Sequence, residues 1–317
     1  MSTIDMVRES SHHAPILVTG SHRSGTTWAG RILAQRNCVT YIDEPFRPDQ
    51  RPGIFDANID NWFAYVPDHD QEKIRKELRQ LLNMKYSMAA EFPAINNIRD
   101  VFRMGRDVVR FFLARFRGER VLLKDPIAVL SSAWLADELD ARVVVMVRHP
   151  AAFAYSLKRK GWTFPFNHLL EQPRLMEKHL ETFRDDIVRF DDQAQPITTQ
   201  AGLLWAVIYH TVSRFLTDRP NWIVVRHEDL ARNPMEKFHD LYDQLGLSYT
   251  SACRWAVVES SRSENPTESP DKAKDIQRDS RGLIGRWREG LSEEEIGTVR
   301  QYTEQVAEKW YDRSTWH

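Results

Sequence analysis

The feature that most constrains the fold is a short apolar run that breaks into a polar loop bounded by two glycines. The apolar run covers residues 16–18, and the loop, called here the glycine loop, extends from Gly20 to Gly25. The pattern that follows predicts a helix over residues 28–35. In a strand–loop–helix unit of this kind, the unpaired N–H groups and the positive dipole end of the helix converge on the loop. The sequence therefore predicts that the glycine loop binds a phosphate group.

The glycine loop has the spacing of the nucleotide-binding motif G-x-x-x-x-G-K-[ST], but Thr26 stands where that motif has its lysine. Because that lysine reaches the β- and γ-phosphates, its absence argues against ordinary nucleoside triphosphate chemistry. A cation lies inside the loop instead, as Arg23, and the hydroxyls of Thr26 and Thr27 add hydrogen-bond donors. A generic strand and helix joined by a polar loop is the alternative interpretation, and phosphate binding is favoured over it.

A second candidate site follows another buried strand. Residues 143–147 are continuously apolar and mostly β-branched, which is typical of a parallel strand covered on both faces. Arg148 ends this run, Pro150 suits the first turn of the next helix, and Ser156 lies eight residues after the arginine. An arginine and a serine so placed can converge on one phosphate. A strand-end arginine beside an unrelated surface serine is the alternative.

These two motifs resemble those of sulfotransferases that use 3′-phosphoadenylyl sulfate (PAPS) as the donor. The segment from Arg23 to Trp28 is similar to the loop that holds the 5′-phosphosulfate in that family. Arg148, Pro150 and Ser156 fit the family pattern Arg-x-Pro-x(5)-Ser, which binds the 3′-phosphate. The resemblance implies PAPS as the donor and a reaction that needs no metal.

A third stretch, residues 280–288, resembles the late family motif R-K-G-x-x-G-D-W-K, which also holds the 3′-phosphate. Ser280 replaces its first arginine, Arg286 its aspartate and Arg288 its final lysine, so only Arg281 and Gly282 are carried over. The resemblance thus implies the following donor-binding residues: Arg23, Ser24, Gly25, Thr26, Thr27, Trp28, Arg148, Ser156, Arg281 and Gly282.

Five apolar runs separated by helical patterns predict an α/β fold, with a P-loop-type parallel sheet flanked by helices. The predicted strands are Ile16–Val18, Val39–Ile42, Val121–Leu123, Val143–Val147 and Ile223–Val225. We expect a single sulfotransferase domain over residues 1–317. Mostly helical insertions at about 50–120 and 162–200 would form the acceptor side. A polar segment at about 265–280 is expected to be a mobile loop that orders over the nucleotide.

Transfer of a sulfuryl group to a hydroxyl needs cations for the charge on the leaving phosphate and a base for the hydroxyl proton. Arg23 and Lys124 are the candidate cations. Lys124 follows the third apolar run, in a Lys-Asp-Pro sequence similar to that of tyrosyl-protein sulfotransferases, whose lysine stabilises the transferring group. Both residues are therefore predicted to be catalytic.

For the base, cytosolic members of the family use a histidine in a Lys-Thr-His segment, but Pro126 stands at that place here. Tyrosyl-protein and several bacterial enzymes use a glutamate after the second strand, where this chain has Glu44. Apolar walls would raise the pKa of such a carboxyl toward a useful value. Glu44 is the predicted base, and a solvated loop acid is the alternative. The other candidates for the base are His22, Asp43 and Asp125.

Residues 95–117 have the pattern of a basic amphipathic helix. Its arginines are Arg99, Arg103, Arg106 and Arg110, and the apolar residues opposite them are Val101, Phe102, Val108, Phe111 and Phe112. Such a helix would contact an anionic membrane surface peripherally or guide an anionic glycan. A solvated helix face is the alternative.

The net charge of −1 gives no electrostatic case for a nucleic-acid partner. Cys38 and Cys253 form no disulfide framework, which favours a reducing compartment. No apolar run approaches the ~20 residues that span a bilayer, so we expect a cytoplasmic protein. The sequence leaves its oligomeric state open.

The function that best fits these observations is PAPS-dependent O-sulfation of a small-molecule or glycan acceptor, with a carbohydrate or glycolipid favoured. A P-loop kinase-like phosphotransferase is one alternative. It would need a phosphate-binding lysine and a strand-end aspartate for Mg²⁺, where this chain has Thr26 and Arg148. A catalytically inactive nucleotide-binding scaffold is the other, favoured if Glu44 and Lys124 point away from the nucleotide.

Overall fold

The computed structural model describes residues 14–35, 39–262, 265, 279 and 281–316. In these residues five parallel strands form one sheet, in the order β2-β3-β1-β4-β5. The strands are β1 Ile16–Gly20, β2 Val39–Asp43, β3 Arg120–Lys124, β4 Arg142–Val147 and β5 Ile223–Arg226. All five predicted strands are confirmed. Since the chain moves from β3 across β1 to β4, the sheet has a topological switch point at β1, where ligands bind beyond the carboxyl ends of the strands.

Helices cover both faces of the sheet, which confirms the α/β class. They are α1 Thr26–Leu33, α2 Gln71–Leu82, α3 Met88–Glu91, α4 Ile98–Phe116, α5 Ser132–Leu139, α6 Pro150–Lys160, α7 Asn167–Leu170, α8 Pro173–Leu175, α9 Arg184–Asp192, α10 Ile197–Asp218, α11 His227–Arg232, α12 Pro234–Gln244, α13 Ser251–Ser260, α14 Trp287–Gly290 and α15 Glu293–Ala307. None of the helices that the structure describes combines the length and apolarity needed to cross a membrane.

Alternate residues of the central strand pack into two different cores. Leu17 faces a core that includes Phe153 of α6 and Trp205 of α10. Ile16, its neighbour, faces a second core that is closed by α1, α12 and α13 and contains Phe238. Because successive side chains of a strand point to opposite faces, β1, all of whose residues are buried, is covered on both sides. The carboxyl end of β1 and the glycine loop are thereby fixed between two packed layers.

The first insertion is helical only in its second part. Residues 51–70 are irregular apart from the 3-10 turn Val66–Asp68, and α2, α3 and α4 follow. The irregular segment is held by tertiary burial of Phe55 and Phe63 instead of by a helical ladder. The second insertion contains α7, α8 and α9 with a π-helical turn, Met176–Leu180. Apart from Asn265 and Asp279, the loop predicted at 265–280 lies outside the described residues.

Helix α4 has its predicted apolar face turned outward. Of the five apolar residues expected on that face, only Phe111 is buried, whereas Phe102 and Phe112 are exposed. The buried face carries Asp100 and Asp107 beside Phe111 and Ala114. Asp107 forms an ion pair with Arg51 at 2.8 Å, which explains why an acidic residue is tolerated there.

Candidate active site

The glycine loop is shaped by three residues with positive φ angles. Gly20 has a φ of 132°, and a Cβ atom there would lie 2.1 Å from the carbonyl oxygen of Met146 on β4. Gly25, with a φ of 98°, is the N-cap of α1, which begins two residues earlier than predicted. Arg23 adopts a φ of 65°, a conformation that non-glycine residues adopt mainly where the surroundings enforce it. The loop therefore packs against the sheet and ends directly at the helix N-terminus.

Tyr209 of α10 holds the glycine loop in place from the core side. Its hydroxyl donates to the carbonyl oxygen of Met146 at 2.8 Å and accepts from the N–H of Ser21 at 3.1 Å. Burial raises the pKa of Tyr209 to about 12, so the hydroxyl keeps its proton and both hydrogen bonds. The loop is thus held in one shape by the core.

The first two sequence motifs meet at Arg23. Its carbonyl oxygen accepts a hydrogen bond from Nη1 of Arg148 at 2.8 Å, and its Nε donates to Oγ of Ser156 at 3.0 Å. The Arg23 guanidinium also lies 5.6 Å from the ring centroid of Trp162. Residues more than a hundred positions apart therefore form one cationic site.

A buried lysine between two carboxylates lies at the ends of β2 and β3. Asp43 is opposite Lys124 in the register of these strands, and Glu44 follows directly. Nζ of Lys124, whose side chain is almost fully buried, lies 2.6 Å from Oδ1 of Asp43 and 2.5 Å from Oε1 of Glu44. The N–H of Glu44 donates to the carbonyl oxygen of Lys124 at 2.8 Å, with Glu44 at a φ of 47°. Since a buried ammonium needs countercharge, these three side chains form a unit.

The two carboxylates of this unit differ in their surroundings. Burial raises the pKa of Asp43, but the adjacent Lys124 ammonium outweighs it and holds that pKa below its ordinary value. Asp43 also accepts a hydrogen bond from the Tyr41 hydroxyl at 3.0 Å. Glu44 keeps a partly exposed side chain, and its second oxygen lies 3.5 Å from Nη1 of Arg47. Asp43 is the more exposed of the two, with 49% of its side chain accessible against 21% for Glu44, but its lowered pKa makes it a weaker base than an ordinary aspartate.

Two other candidates for the base are poorly placed. Asp125 is fully buried and accepts hydrogen bonds from the N–H groups of Phe46, Ile127 and Ala128 at 2.7, 2.9 and 3.1 Å. Burial raises the pKa of Asp125 to about 7, but its oxygens hold the loop that carries Glu44. Burial, with the charge of Arg23, lowers the pKa of His22 to about 3, which makes it a weak base.

Two cavities flank the glycine loop. The carboxylate cavity, of about 520 Å³, lies beyond β1, β2 and β3. Its lining combines the charged groups described above with aromatic side chains: His22, Arg23, Thr26, Thr27, Asp43, Glu44, Arg47, Trp62, Phe63, Lys124, Pro126, Ile127, Leu157, Trp162, Thr163, Phe164 and Pro165. Both insertions contribute to this wall, and the prediction that they form the acceptor side stays a prediction.

The arginine cavity, of about 280 Å³, lies beyond β4 and β5. Four arginines line it: Arg148, Arg226, Arg232 and Arg288. Glu228 is the one acidic residue of its described lining, and both of its oxygens are occupied. They accept from the N–H of His149 at 3.0 Å and from the hydroxyl of Tyr311 at 2.8 Å. Asp229, outside that lining, pairs with Arg226 at 2.6 Å and lies 3.5 Å from Arg232, which still leaves the arginines in excess. The cavity is thus suited to a multiply charged anion.

The structure separates the predicted loop residues by role. Thr26 and Thr27 line the carboxylate cavity. Ser24 is fully buried, and its hydroxyl donates to the carbonyl oxygen of Ser21 at 2.6 Å. The Trp28 ring packs on Phe238 in the core and donates to Ser260 at 2.9 Å. The side chains of Ser24 and Trp28 therefore support the loop, and neither lines the carboxylate or the arginine cavity.

The third motif contributes differently from the prediction. Arg281 donates to the carbonyl oxygen of Arg232 at 2.6 Å, and the N–H of Gly282 donates to Oδ1 of Asp279 at 2.8 Å. Neither residue lines the arginine cavity as described, whereas Arg288 does. Sequence reasoning also missed Arg226, although it ends β5 as Arg148 follows β4, and the same strand-end argument would have found it. Arg232 carries no comparable signal.

In the part of the chain that the structure describes, no three His, Cys, Asp or Glu side chains come together in a group able to hold a metal ion. The prediction that the reaction needs no metal rests on the family resemblance.

Comparison with known proteins agrees with this geometry. The sequence pattern of the sulfotransferase family matches residues 15–251. Carbohydrate sulfotransferase 1 of Homo sapiens is 30% identical, with 93% of this chain and 78% of that protein covered. The Danio rerio protein of the same name is also 30% identical, covering 96% and 78%. Among solved structures, the sulfotransferase domain from the curacin biosynthetic pathway matches with a TM-score of 0.53 at 14% identity, covering 93% and 96%.

Proposed function

The chain belongs to the sulfotransferase family, and from this premise we propose that it transfers a sulfuryl group from PAPS to a hydroxyl of a carbohydrate-containing acceptor. One observation carries the proposal. A single rigid loop separates a cavity rich in arginines from a cavity that holds a lysine–carboxylate unit. Such a site has an anion-binding half and a half equipped for proton transfer.

The anion-binding half fits a donor with a phosphate at each end of its ribose. The glycines let the backbone approach a ligand, and the N-terminus of α1 presents its N–H groups there. Arg148 and Ser156 each already contact Arg23, so no large rearrangement is needed to surround an anion. When bound, PAPS would supply the sulfuryl group and the phosphate that leaves.

The reactive half suits removal of a hydroxyl proton. Glu44 is the proposed base, and its carboxylate is flanked by Lys124 and Arg47. Lys124 and Arg23 border the same cavity and are proposed to stabilise negative charge as the bond to the leaving phosphate breaks. Proximity of the base and these cations would orient the acceptor hydroxyl for attack.

The acceptor is proposed from the walls of the carboxylate cavity and from the named activity of the relatives. Trp62, Phe63, Trp162 and Phe164 provide flat apolar faces, on which the C–H groups of a sugar ring can pack. The 30% identical relatives are named carbohydrate sulfotransferases. Together these favour a glycan over a purely apolar alcohol.

The two alternatives make different predictions. The scaffold hypothesis would have Glu44 and Lys124 pointing away from the site, yet both line the carboxylate cavity. To test the kinase hypothesis, thermal shifts with adenosine 3′,5′-bisphosphate and with ATP·Mg²⁺ should be compared. Incubation with ³⁵S-labelled PAPS and a panel of oligosaccharides then tests transfer. Preferential stabilisation by ATP·Mg²⁺, or no labelled product from any glycan, would contradict the proposal.

A further inference from the structure

Helix α4 presents an aromatic and aliphatic stripe to solvent. Ile98, Phe102, Val109 and Phe116 recur at spacings of four and seven residues, which places them on one face of the helix. With Phe92 before the helix and Phe112 on the same side, they form what we call the aromatic face. These six side chains are between 56% and 81% exposed, unlike the scattered apolar residues of an ordinary surface.

The charges around the aromatic face are of one sign. Within residues 88–118, all of which the structure describes, every acidic side chain is buried. Glu91 and Asp107 bind Arg51 at 2.9 and 2.8 Å, and Asp100 binds Arg103 at 2.7 Å. The exposed charges of the segment are all arginines: Arg99, Arg106, Arg110, Arg115 and Arg117. A cationic rim thus surrounds an apolar centre.

We propose that the aromatic face docks on the surface of an anionic lipid bilayer. A helix of 19 residues is about 28 Å long and can lie in the plane of the interface, with its phenylalanines among the acyl chains and its arginines at the headgroups. A second copy of the chain fits less well. In a twofold contact the same patch meets itself, so arginine rims would face each other with no exposed acid in residues 88–118 to pair with them.

Arg51 links the inner side of the aromatic face to the chain segment that follows Glu44. This arginine binds Glu91 and Asp107 on the inner side of the aromatic face, and it lies seven residues after Glu44. Its guanidinium also donates to the Tyr86 hydroxyl at 2.7 Å. Docking would therefore hold a bilayer beside the segment that carries the proposed base. The docking proposal itself does not depend on the reaction.

Flotation of the full chain with vesicles tests the proposal. We expect binding to phosphatidylcholine vesicles that contain phosphatidylglycerol and much weaker binding to pure phosphatidylcholine. The double variant F102S/F112S should lose partitioning by about tenfold or more, because two exposed rings no longer enter the bilayer. Trp255→Ser on α13, where the ring is 65% exposed, is the matched control and should bind like the parent.

A second variant and a second measurement keep the test decisive. R99Q/R115Q should lower binding to the anionic vesicles by about fivefold per removed charge and leave binding to neutral vesicles unchanged. Light scattering after size exclusion reports the oligomeric state of each variant. Equal flotation of F102S/F112S and the parent would overturn the proposal. So would a parent dimer that this variant converts to a monomer, since that assigns the aromatic face to a second copy.

Discussion

The two cavities beside the glycine loop use charge in opposite ways. In the arginine cavity, four arginines stand against one lining acid, Glu228, whose oxygens are occupied by the protein's own donors, and Asp229 pairs with Arg226 without removing the excess. In the carboxylate cavity, Lys124 is neutralised by Asp43 and Glu44. An excess of positive charge attracts an anion, whereas a compensated pair costs little when a neutral hydroxyl binds. The difference supports the proposal that one cavity serves donor affinity and the other proton transfer.

Arg23 of the glycine loop links the two cavities. Arg23 belongs to both sides, since its side chain lines the carboxylate cavity while its carbonyl oxygen binds Arg148. Its positive φ and that of Glu44 are maintained by the packed surroundings. The cations and the proposed base are therefore preorganised before any ligand arrives.

The largest expected effect is on the carboxylate side. Glu44→Gln preserves shape and removes proton-accepting ability, so sulfation turnover should fall about 10²- to 10⁴-fold while donor affinity changes little. Steady-state assays with labelled donor and calorimetry with adenosine 3′,5′-bisphosphate measure the two quantities. Asp60→Asn, which removes an exposed acid of the first insertion, is the control. Near-normal turnover in the Gln variant would make Glu44 a structural acid.

A smaller effect is expected in the arginine cavity, which should bind two related nucleotides with different affinities. Adenosine 3′,5′-bisphosphate should bind at least about tenfold more tightly than AMP, because charge-assisted hydrogen bonds to its additional phosphate contribute about 1.5–3 kcal/mol each. Thermal shifts at matched concentrations report the difference. Equal shifts would mean that the 3′-phosphate does not bind in this cavity. The proposed roles of Glu44 and Lys124 would not be affected.

The substitution Arg148→Ala tests the contribution of one residue of the arginine cavity. Loss of a bidentate cation should weaken binding of adenosine 3′,5′-bisphosphate by about 10- to 100-fold, and Arg148→Lys should restore only part of the lost affinity. Arg142→Ala is the matched control, since it removes an arginine from the opposite end of β4. Calorimetry gives the affinities. Unchanged binding in a folded Arg148→Ala protein would count against this residue as a phosphate ligand.

The sequence predicted the sheet better than it predicted which side chains face the ligand. Continuous apolar runs located all five strands, because strands buried on both faces have few other compositions. Strand-end logic predicted that Arg148 and Ser156 converge, and in the structure both contact Arg23, a meeting that the sequence did not predict. The position of Trp28 could not be predicted in this way, since a backbone motif does not specify which way a ring points. Its ring lies in the core.

The exposed face of α4 shows a second limit of prediction from the sequence. Periodicity separated arginines from apolar residues correctly, but it could not tell which stripe faces the protein. The deciding contacts are Arg51 with Asp107 and Glu91, which join segments far apart in the chain. The single domain over residues 1–317, the cytoplasmic location and the oligomeric state stay predictions or open questions.

The smallest expected effect returns to the carboxylate cavity and concerns recognition of the acceptor. Trp62→Ala should raise the acceptor KM by about two- to tenfold, the amount that one aromatic contact contributes, with kcat and donor affinity little changed. Trp62 is suited to this test because it lines the cavity yet is 37% exposed, so its removal leaves the core intact. Trp255→Ala on α13 is the control. A fall in kcat without a change in KM would mean that Trp62 orders the reactive groups, and a weaker affinity for the bisphosphate would mean that the two cavities are not separate in function.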